Sequence, residues 1–235
     1  MTMLAAAAAF FLAIHLLVSG TRVRDALTGA LGEGLYMGVF SLASVAGLVW
    51  MAMAYNAAFA TETYEVWDFG PGVRHLGIPV MFVALMIGVP GLLTPNPTSA
   101  GAGEMLKGEV PVSGLLRVTR HPFLWGSAIW AGFHMLANGD AASIIFFGTF
   151  LILTVLGTFS IDAKRRRVYG EAWGRFAQKT SNIPFAAILT GRNSLALGEI
   201  GAWRLLAALA VFGAILFAHA WAFSASPFPG GWVPF

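Results

Sequence analysis

Long apolar runs alternate with short polar segments along this chain. A helix that crosses a bilayer needs about 20 mostly apolar residues, because the hydrocarbon core is roughly 30 Å thick. Candidate runs lie at about residues 3–20, 35–58, 75–93, 121–138, 141–161 and 203–223. The pattern predicts an all-α, polytopic membrane helix bundle with about six transmembrane helices. We take residues 1–235 as a single transmembrane domain with two larger loops, at about 94–119 and 162–203.

The distribution of Lys and Arg predicts the orientation of this bundle. Every basic residue except Arg74 falls in or beside the segments that follow the first, third and fifth apolar runs. Cytoplasmic segments carry an excess of Lys and Arg, so we expect those segments to be cytoplasmic and both termini to be periplasmic. Arg22 and Arg24 follow the first apolar run, whereas a cleaved signal peptide has its positive charge before the apolar run. We therefore expect the first run to remain as a helix.

The amino-acid composition limits the possible chemistry. Hydrophobic types make up 57% of the chain and charged types 11%, whereas roughly a quarter of a soluble domain is charged. The basic excess is explained by topology and by anionic lipid head groups, so we expect the lipid bilayer and not nucleic acid as a partner. The chain has no cysteine, which excludes disulfides, thiolate nucleophiles, and zinc or iron–sulfur sites built on cysteine. Histidine, carboxylate and methionine remain as metal ligands.

Three histidines lie inside predicted membrane helices: His15 in the first, His134 in the fourth and His219 in the sixth. Ionisable groups within a span are costly and usually face the bundle interior or a cavity. Taken singly, each is explained by a hydrogen bond to a neighbouring helix. Taken together they favour a ligand site, since imidazoles from facing helices can hold a metal ion or a haem iron.

The sequence Arg120-His121-Pro122 stands at the predicted cytoplasmic start of the fourth helix. Proline is favoured at the first helical position, because its missing N–H would be unpaired there anyway. The histidine therefore either marks a helix boundary or serves a function, and the residues alone leave both interpretations open. Arg117 and Arg120 could neutralise an anionic group at this rim, such as a porphyrin propionate.

The second large loop predicts a helix at the membrane surface. The fifth apolar run is expected to continue past Asp162 into the cytoplasm, and the spacing of Val168, Tyr169, Trp173 and Phe176 is compatible with an amphipathic helix at the interface. The basic run 164–167 is expected to meet lipid head groups.

A family resemblance covers most of residues 10–190. The segments that carry it are Gly114-Leu-Leu-Arg-Val-Thr-Arg-His-Pro, Trp130, His134, Arg166-Arg-Val-Tyr-Gly-Glu and Lys179-Thr-Ser-Asn-Ile-Pro-Phe-Ala, with His15, Ser19-Gly20, Arg22, Arg24, Gly32-Glu33 and Ser41-Leu42 towards the N-terminus. Together they resemble the NnrU family, which is similar over this region to the plant and cyanobacterial 15-cis-zeta-carotene isomerases.

The resemblance implies a cofactor and a class of chemistry. The isomerases bind a non-covalent b-type haem through two histidines and convert a cis double bond of a polyene to trans. The matching positions here are His15 and His134, which are therefore expected as iron and haem ligands, with His121 as the candidate catalytic residue and Arg117 and Arg120 beside the cofactor. NnrU proteins are associated with nitrite and nitric oxide reduction in denitrifying bacteria. That association implies the bacterial inner membrane, a small or lipophilic substrate, and a respiratory nitrogen-oxide enzyme as a partner.

Two other functions remain open at this point. Arg-His-Pro followed by a helix and a Tyr-Gly stretch also resembles membrane methyltransferases that bind S-adenosylmethionine, whose sulfonium needs carboxylates or aromatic faces. Here Asp162 and Trp173 would have to supply those groups. The third class is non-enzymatic: an assembly factor or redox partner of a respiratory enzyme.

Overall fold

The computed structural model of the chain describes residues 1–228, in which the regular secondary structure is all helical, with one isolated bridge between Glu65 and Asp140. Residues 229–235, the end of the predicted domain, lie outside the described residues. The α-helices are α1 (Thr2–Leu12), α2 (Arg22–Leu31), α3 (Glu33–Thr61), α4 (Gly70–His75), α5 (Gly77–Leu93), α6 (Leu115–Val118), α7 (Pro122–Ala137), α8 (Ala141–Lys179), α9 (Ala186–Leu189) and α10 (Ala202–Phe223). A π-helix, Ala13–Ser19, continues α1, and 3₁₀ turns lie at Ala102–Lys107 and Leu197–Ile200.

Within residues 1–228, five helical segments are long and apolar enough to cross a membrane. They are Thr2–Ser19, Glu33–Thr61, Gly70–Leu93, Ala141–Lys179 and Ala202–Phe223. The remaining predicted span, 121–138, corresponds to α7, which has 16 residues and is therefore about 24 Å long. This is shorter than the roughly 20 residues of a full crossing. The apolar pattern thus predicted each long helix of the described residues, and five of these helices are shown by length and composition to be able to cross a membrane.

Contacts between chain-distant residues define two ends of the bundle. At the end that we call upper, the N-terminal amine pairs with Glu62, and the Thr63 hydroxyl donates to Asp140 over 2.7 Å. At the lower end, Arg120, just before α7, pairs with Asp162 on α8. Since α7 ends beside Asp140 and begins beside Asp162, it covers the same length of the bundle as the apolar part of α8.

Small residues allow α7 to lie close to α5. A Cβ added at Gly126 would lie 2.6 Å from the carbonyl oxygen of Ala84 and 2.7 Å from the Cα of Gly88. Small residues are typical of helix contacts in membranes, because apolar burial provides little drive between helices that are surrounded by lipid. A separate buried cluster joins α1, α3 and α8, with Phe11 and Met51 among its larger members.

The two predicted loops pack against each other below the bundle. The helix α8 continues to Lys179 as expected, with a break at Gly170, whose φ of 48° and ψ of −117° suit glycine alone. Trp173 and Phe176 are buried against Leu106 of the first loop. The prediction of a helix is therefore confirmed, and Trp173 and Phe176 contact protein.

Candidate functional site

A buried polar cluster surrounds the carboxylate of Asp162. Arg120 donates to it through Nε, 2.9 Å from Oδ1, and through Nη2 to Oδ2. His121 donates from Nε2 to Oδ1 over 2.8 Å, and Asn182 donates from Nδ2 to Oδ2 over 2.9 Å. All four residues are at most 9% exposed. A bidentate Arg–carboxylate pair with further hydrogen bonds is the arrangement that makes a buried charge tolerable.

Local sequence pins the segment before α7 in place. Pro122 begins the helix, and His121 is its N-cap with a φ of −123°. The backbone N–H of Arg120 donates to the Ser181 carbonyl over 2.9 Å. Its carbonyl in turn accepts a hydrogen bond from the Asn96 side chain over 2.9 Å. Both large loops thus hold the Arg-His-Pro segment against α8.

Burial favours the neutral form of the His121 imidazole, which keeps one acceptor without a partner. Burial lowers the pKa of His121, and its hydrogen bond to Asp162 opposes this shift only in part. Because the carboxylate can only accept, Nε2 carries the proton and Nδ1 carries a lone pair. Within the described residues, His121 Nδ1 and Asn182 Oδ1 are buried acceptors without a hydrogen-bond partner. The cluster can therefore receive a proton or a donor group at His121.

The two groups proposed for sulfonium recognition are both occupied by Arg120. Its guanidinium carbon lies 5.3 Å from the centre of the Trp173 ring, and its nitrogens bind Asp162. A second cation at the same carboxylate and ring face would have to displace an arginine. The arrangement therefore gives no support to the methyltransferase alternative.

Arg117 and Arg120 each have an internal carboxylate partner. Arg117 binds Glu199 through Nε over 2.6 Å and Nη2 over 2.9 Å, and Asn193 through Nη1 over 2.8 Å. The guanidinium, followed by the Gly114 N–H, lowers the pKa of Glu199. Neither arginine is a free cation that awaits an anion in the described structure.

The three histidines within the bundle share one hydrogen-bonding pattern. In each, Nδ1–H donates to a backbone carbonyl: His15 to Phe11 over 2.8 Å, His134 to Trp130 over 2.9 Å, and His219 to Ala225 over 2.7 Å. A carbonyl oxygen cannot donate, so this bond fixes the tautomer and leaves the lone pair on Nε2. Metal-ligating histidines commonly have such a partner on the other ring nitrogen.

His15 and His134 lie at different heights in the bundle. His15 is near the lower end, since Gly20, five residues later, adjoins the Ser160 side chain. His134 is near the upper end of α7 and contacts Phe147, with ring centres 4.9 Å apart. Its neighbouring histidine is His219, at 6.5 Å between ring centres. Within residues 1–228, no group of three or more His, Cys, Asp or Glu residues is arranged to hold a metal ion.

Sequence reasoning missed that Asp162 is the centre of the buried polar cluster with Arg120, His121 and Asn182. Asp162 and the Arg-His-Pro segment stand at the same predicted membrane boundary, and a carboxylate that ends an apolar run beside an arginine is a signal for such a pair. Asn182 lies in the Lys179-Thr-Ser-Asn-Ile-Pro segment, which the resemblance already singled out.

Comparison with known proteins gives a family and two relatives. Residues 3–227 match the protein family that is described as NnrU protein. The chain is similar to the chloroplastic 15-cis-zeta-carotene isomerase of Arabidopsis thaliana, with 27% identity over 178 residues, which is 74% of this chain and 47% of that protein. It is also similar to the Zea mays protein of the same description, with 34% identity over 83 residues, 35% of this chain and 23% of the relative. The chain thus spans about half or less of these relatives. No solved structure matches it.

Proposed function

Because the chain belongs to the NnrU family, we propose that it is a membrane protein with cis–trans isomerase-like or redox activity on a lipophilic, polyene-type substrate. The similarity to proteins described as 15-cis-zeta-carotene isomerases suggests the reaction class. The observation that carries the proposal is the environment of His134. Its Nε2 lone pair is free, and its ring is lined by Trp130 and Phe147 within an apolar bundle.

We propose that the chain binds a b-type haem with His134 as one iron ligand, because the Nδ1 hydrogen bond of this histidine leaves its Nε2 lone pair available. We propose His15 as the second ligand by resemblance, and His219 as the competing candidate because it adjoins His134. Both have the tautomer that ligation requires. When bound, the haem would supply a redox-active iron beside the substrate. The chain itself would bind the apolar substrate against the Phe and Trp rings around His134 and exclude water there.

We propose that His121 accepts protons at the lower end of α7, about 20 Å along the helix from His134. The Nδ1 atom of His121 accepts a proton or hydrogen bond, while Asp162 fixes the orientation of the ring through Nε2. Arg117 and Arg120 hold this rim together through hydrogen bonds that they already make. They could meet a propionate only of a haem bound near His15, at the same lower end, because about 20 Å of α7 separates Arg120 from His134.

We further propose six crossings, with both termini in the periplasm of a bacterial inner membrane, within one domain. The antiparallel pairing of α7 with α8 between Asp140 and Asp162 supports a sixth crossing. The N-terminal amine lies at the upper end, and His219 near the end of α10 lies there too. A link to nitrite and nitric oxide reduction remains part of this proposal through the family.

The test is an isomerisation assay in bacteria that accumulate 15-cis-zeta-carotene. Expression of the wild-type chain should convert the cis pigment to its trans isomer, as measured by chromatography in the dark. His134→Ala should abolish conversion, whereas His75→Ala, at an exposed histidine of α4, should leave it unchanged. Equal pigment profiles with wild type and with an empty vector would refute isomerase activity on this polyene.

A further inference from the structure

Three cations lie together at the lower end, outside the Asp162 cluster. Lys164 and Arg165 are half-buried on α8, and Arg24 lies on α2, which the Asp25–Arg167 ion pair joins to the same part of α8. Lys164 makes one long hydrogen bond, 3.5 Å to the carbonyl of Ser19. Arg165 donates to the carbonyl of Ser99 over 2.8 Å. Carbonyl partners leave the charge of both side chains uncompensated.

The nearby carboxylates are already paired. Glu33 binds Arg24, Asp25 binds Arg167 over 2.9 Å, and Glu104 binds Lys107. Each of these pairs is neutral in itself, so Lys164 and Arg165 are left as excess positive charge in a half-buried position. Charges removed from water are costly unless they are paired, and this excess favours an anion between them.

Two buried donors in this region lack a partner. In the described part of the chain, Nε of Arg165 and the hydroxyl of Tyr36 are buried without a hydrogen-bond partner. Tyr36 is 4% exposed, and the guanidinium carbon of Arg24 lies 5.3 Å from the centre of its ring. Buried polar groups in folded proteins nearly always have a partner. Each of these can donate, so a ligand with several acceptor oxygens would satisfy them.

The outer side of α2 indicates where the rest of such a ligand lies. Val23, Leu27 and Leu31 recur at helical spacing and are 49%, 36% and 45% exposed. Arg24 lies at the edge of this apolar face, and the ion pair of its neighbour Asp25 with Arg167 brings this end of α2 against the basic run of α8. A helix with an exposed apolar face and basic residues is typical of the membrane interface. A ligand held here would therefore have its charged group inside and its apolar part along α2.

We propose that Arg24, Lys164 and Arg165 bind the phosphate of an anionic phospholipid, whose acyl chains lie along the apolar face of α2. The Tyr36 hydroxyl donates to one of its oxygens. Gly103 makes room for this site, because a Cβ there would overlap the guanidinium of Arg165 and the hydroxyl of Tyr169. The site is separate from His134 and does not depend on the proposed function.

Lipid titrations of the full chain in mild detergent test this site. The thermal unfolding midpoint should rise saturably with phosphatidylglycerol and not with phosphatidylcholine of the same acyl chains. Lys164→Gln and Arg165→Gln should each weaken the apparent affinity about tenfold or more, because each removes a charge-assisted hydrogen bond. The matched control is Arg166→Gln, which removes the same charge from an exposed neighbour on α8.

Gly103→Ala adds a test that leaves the net charge unchanged. It displaces the Arg165 guanidinium, so it should also weaken phosphatidylglycerol binding, with the unliganded protein still folded. If Arg166→Gln weakens binding as much as Lys164→Gln, the attraction is diffuse surface charge and the proposal fails. It fails equally if phosphatidylcholine gives the same rise. A saturable rise with inorganic phosphate alone would overturn the lipid as the occupant.

Discussion

Asp162→Asn is the substitution to which the lower cluster should respond most strongly. The change keeps the size of the side chain but removes the charge that compensates Arg120, and it places an amide where Arg120, His121 and Asn182 all donate. Arg120 is 9% exposed and Asp162 8%, so water cannot easily replace the lost carboxylate. Breaking a buried ion pair by removing one partner costs about 3–5 kcal/mol.

For a chain of this length, each kcal/mol corresponds to about 2–4 °C in the unfolding midpoint, so we expect a decrease of roughly 6–20 °C. The assay is tryptophan fluorescence during heating in mild detergent. The control is Glu199→Gln, which breaks the more exposed pair with Arg117 and should change the midpoint little, because exposed ion pairs contribute little to stability.

A double variant tests whether the loss comes from the stranded charge of Arg120. Combining Arg120→Gln with Asp162→Asn should destabilise by less than the sum of the single changes, because residues of one ion pair are not additive. An unfolding midpoint of Asp162→Asn within error of the wild type would refute the cluster as described. So would an equal decrease for Glu199→Gln.

Three further predictions concern packing, protonation and the iron. Gly126→Ala should cost about 1–3 kcal/mol of unfolding free energy, because its Cβ would meet the α5 backbone. Gly132→Ala is the control and should leave the unfolding free energy unchanged, because its Cβ would lie 3.7 Å from a leucine methyl. Equal unfolding midpoints for the two variants would contradict this packing. Burial lowers the pKa of His121, so its neutral form adds stability that is complete above about pH 6.5 and is lost as pH falls below it. Thermal midpoints measured from pH 8 to 5 should therefore fall more steeply for the wild type than for His121→Gln, and parallel curves would disprove this role. Carbon monoxide should shift the reduced spectrum if an iron ligand leaves during catalysis, whereas no shift would favour electron transfer.

The helices could be predicted from the sequence because their lengths follow from apolar runs. The expected segment 203–223 agrees with α10 to within one residue, and Pro122 begins α7 as its position suggested. The bilayer imposes this regularity, since unpaired backbone groups are not tolerated in lipid.

The contacts between the two large loops could not be predicted in the same way. The spacing of Trp173 and Phe176 indicates one apolar helix side but carries no information on its partner, which is Leu106. In the same way, the sequence around Arg117 indicates a free cation, whereas the fold brings Glu199 within 2.6 Å of it. Both contacts join residues that are far apart in the chain, so no local pattern records them.

The central claim is that His134 holds a haem iron inside an apolar bundle, and absorption spectra of the purified protein test it most directly. We predict a Soret band and sharp bands on reduction with dithionite for the wild type and for His75→Ala, and their loss or shift in His134→Ala. Spectra of His15→Ala and His219→Ala would then identify the second ligand. A colourless wild-type protein, expressed with ample haem, would contradict the account.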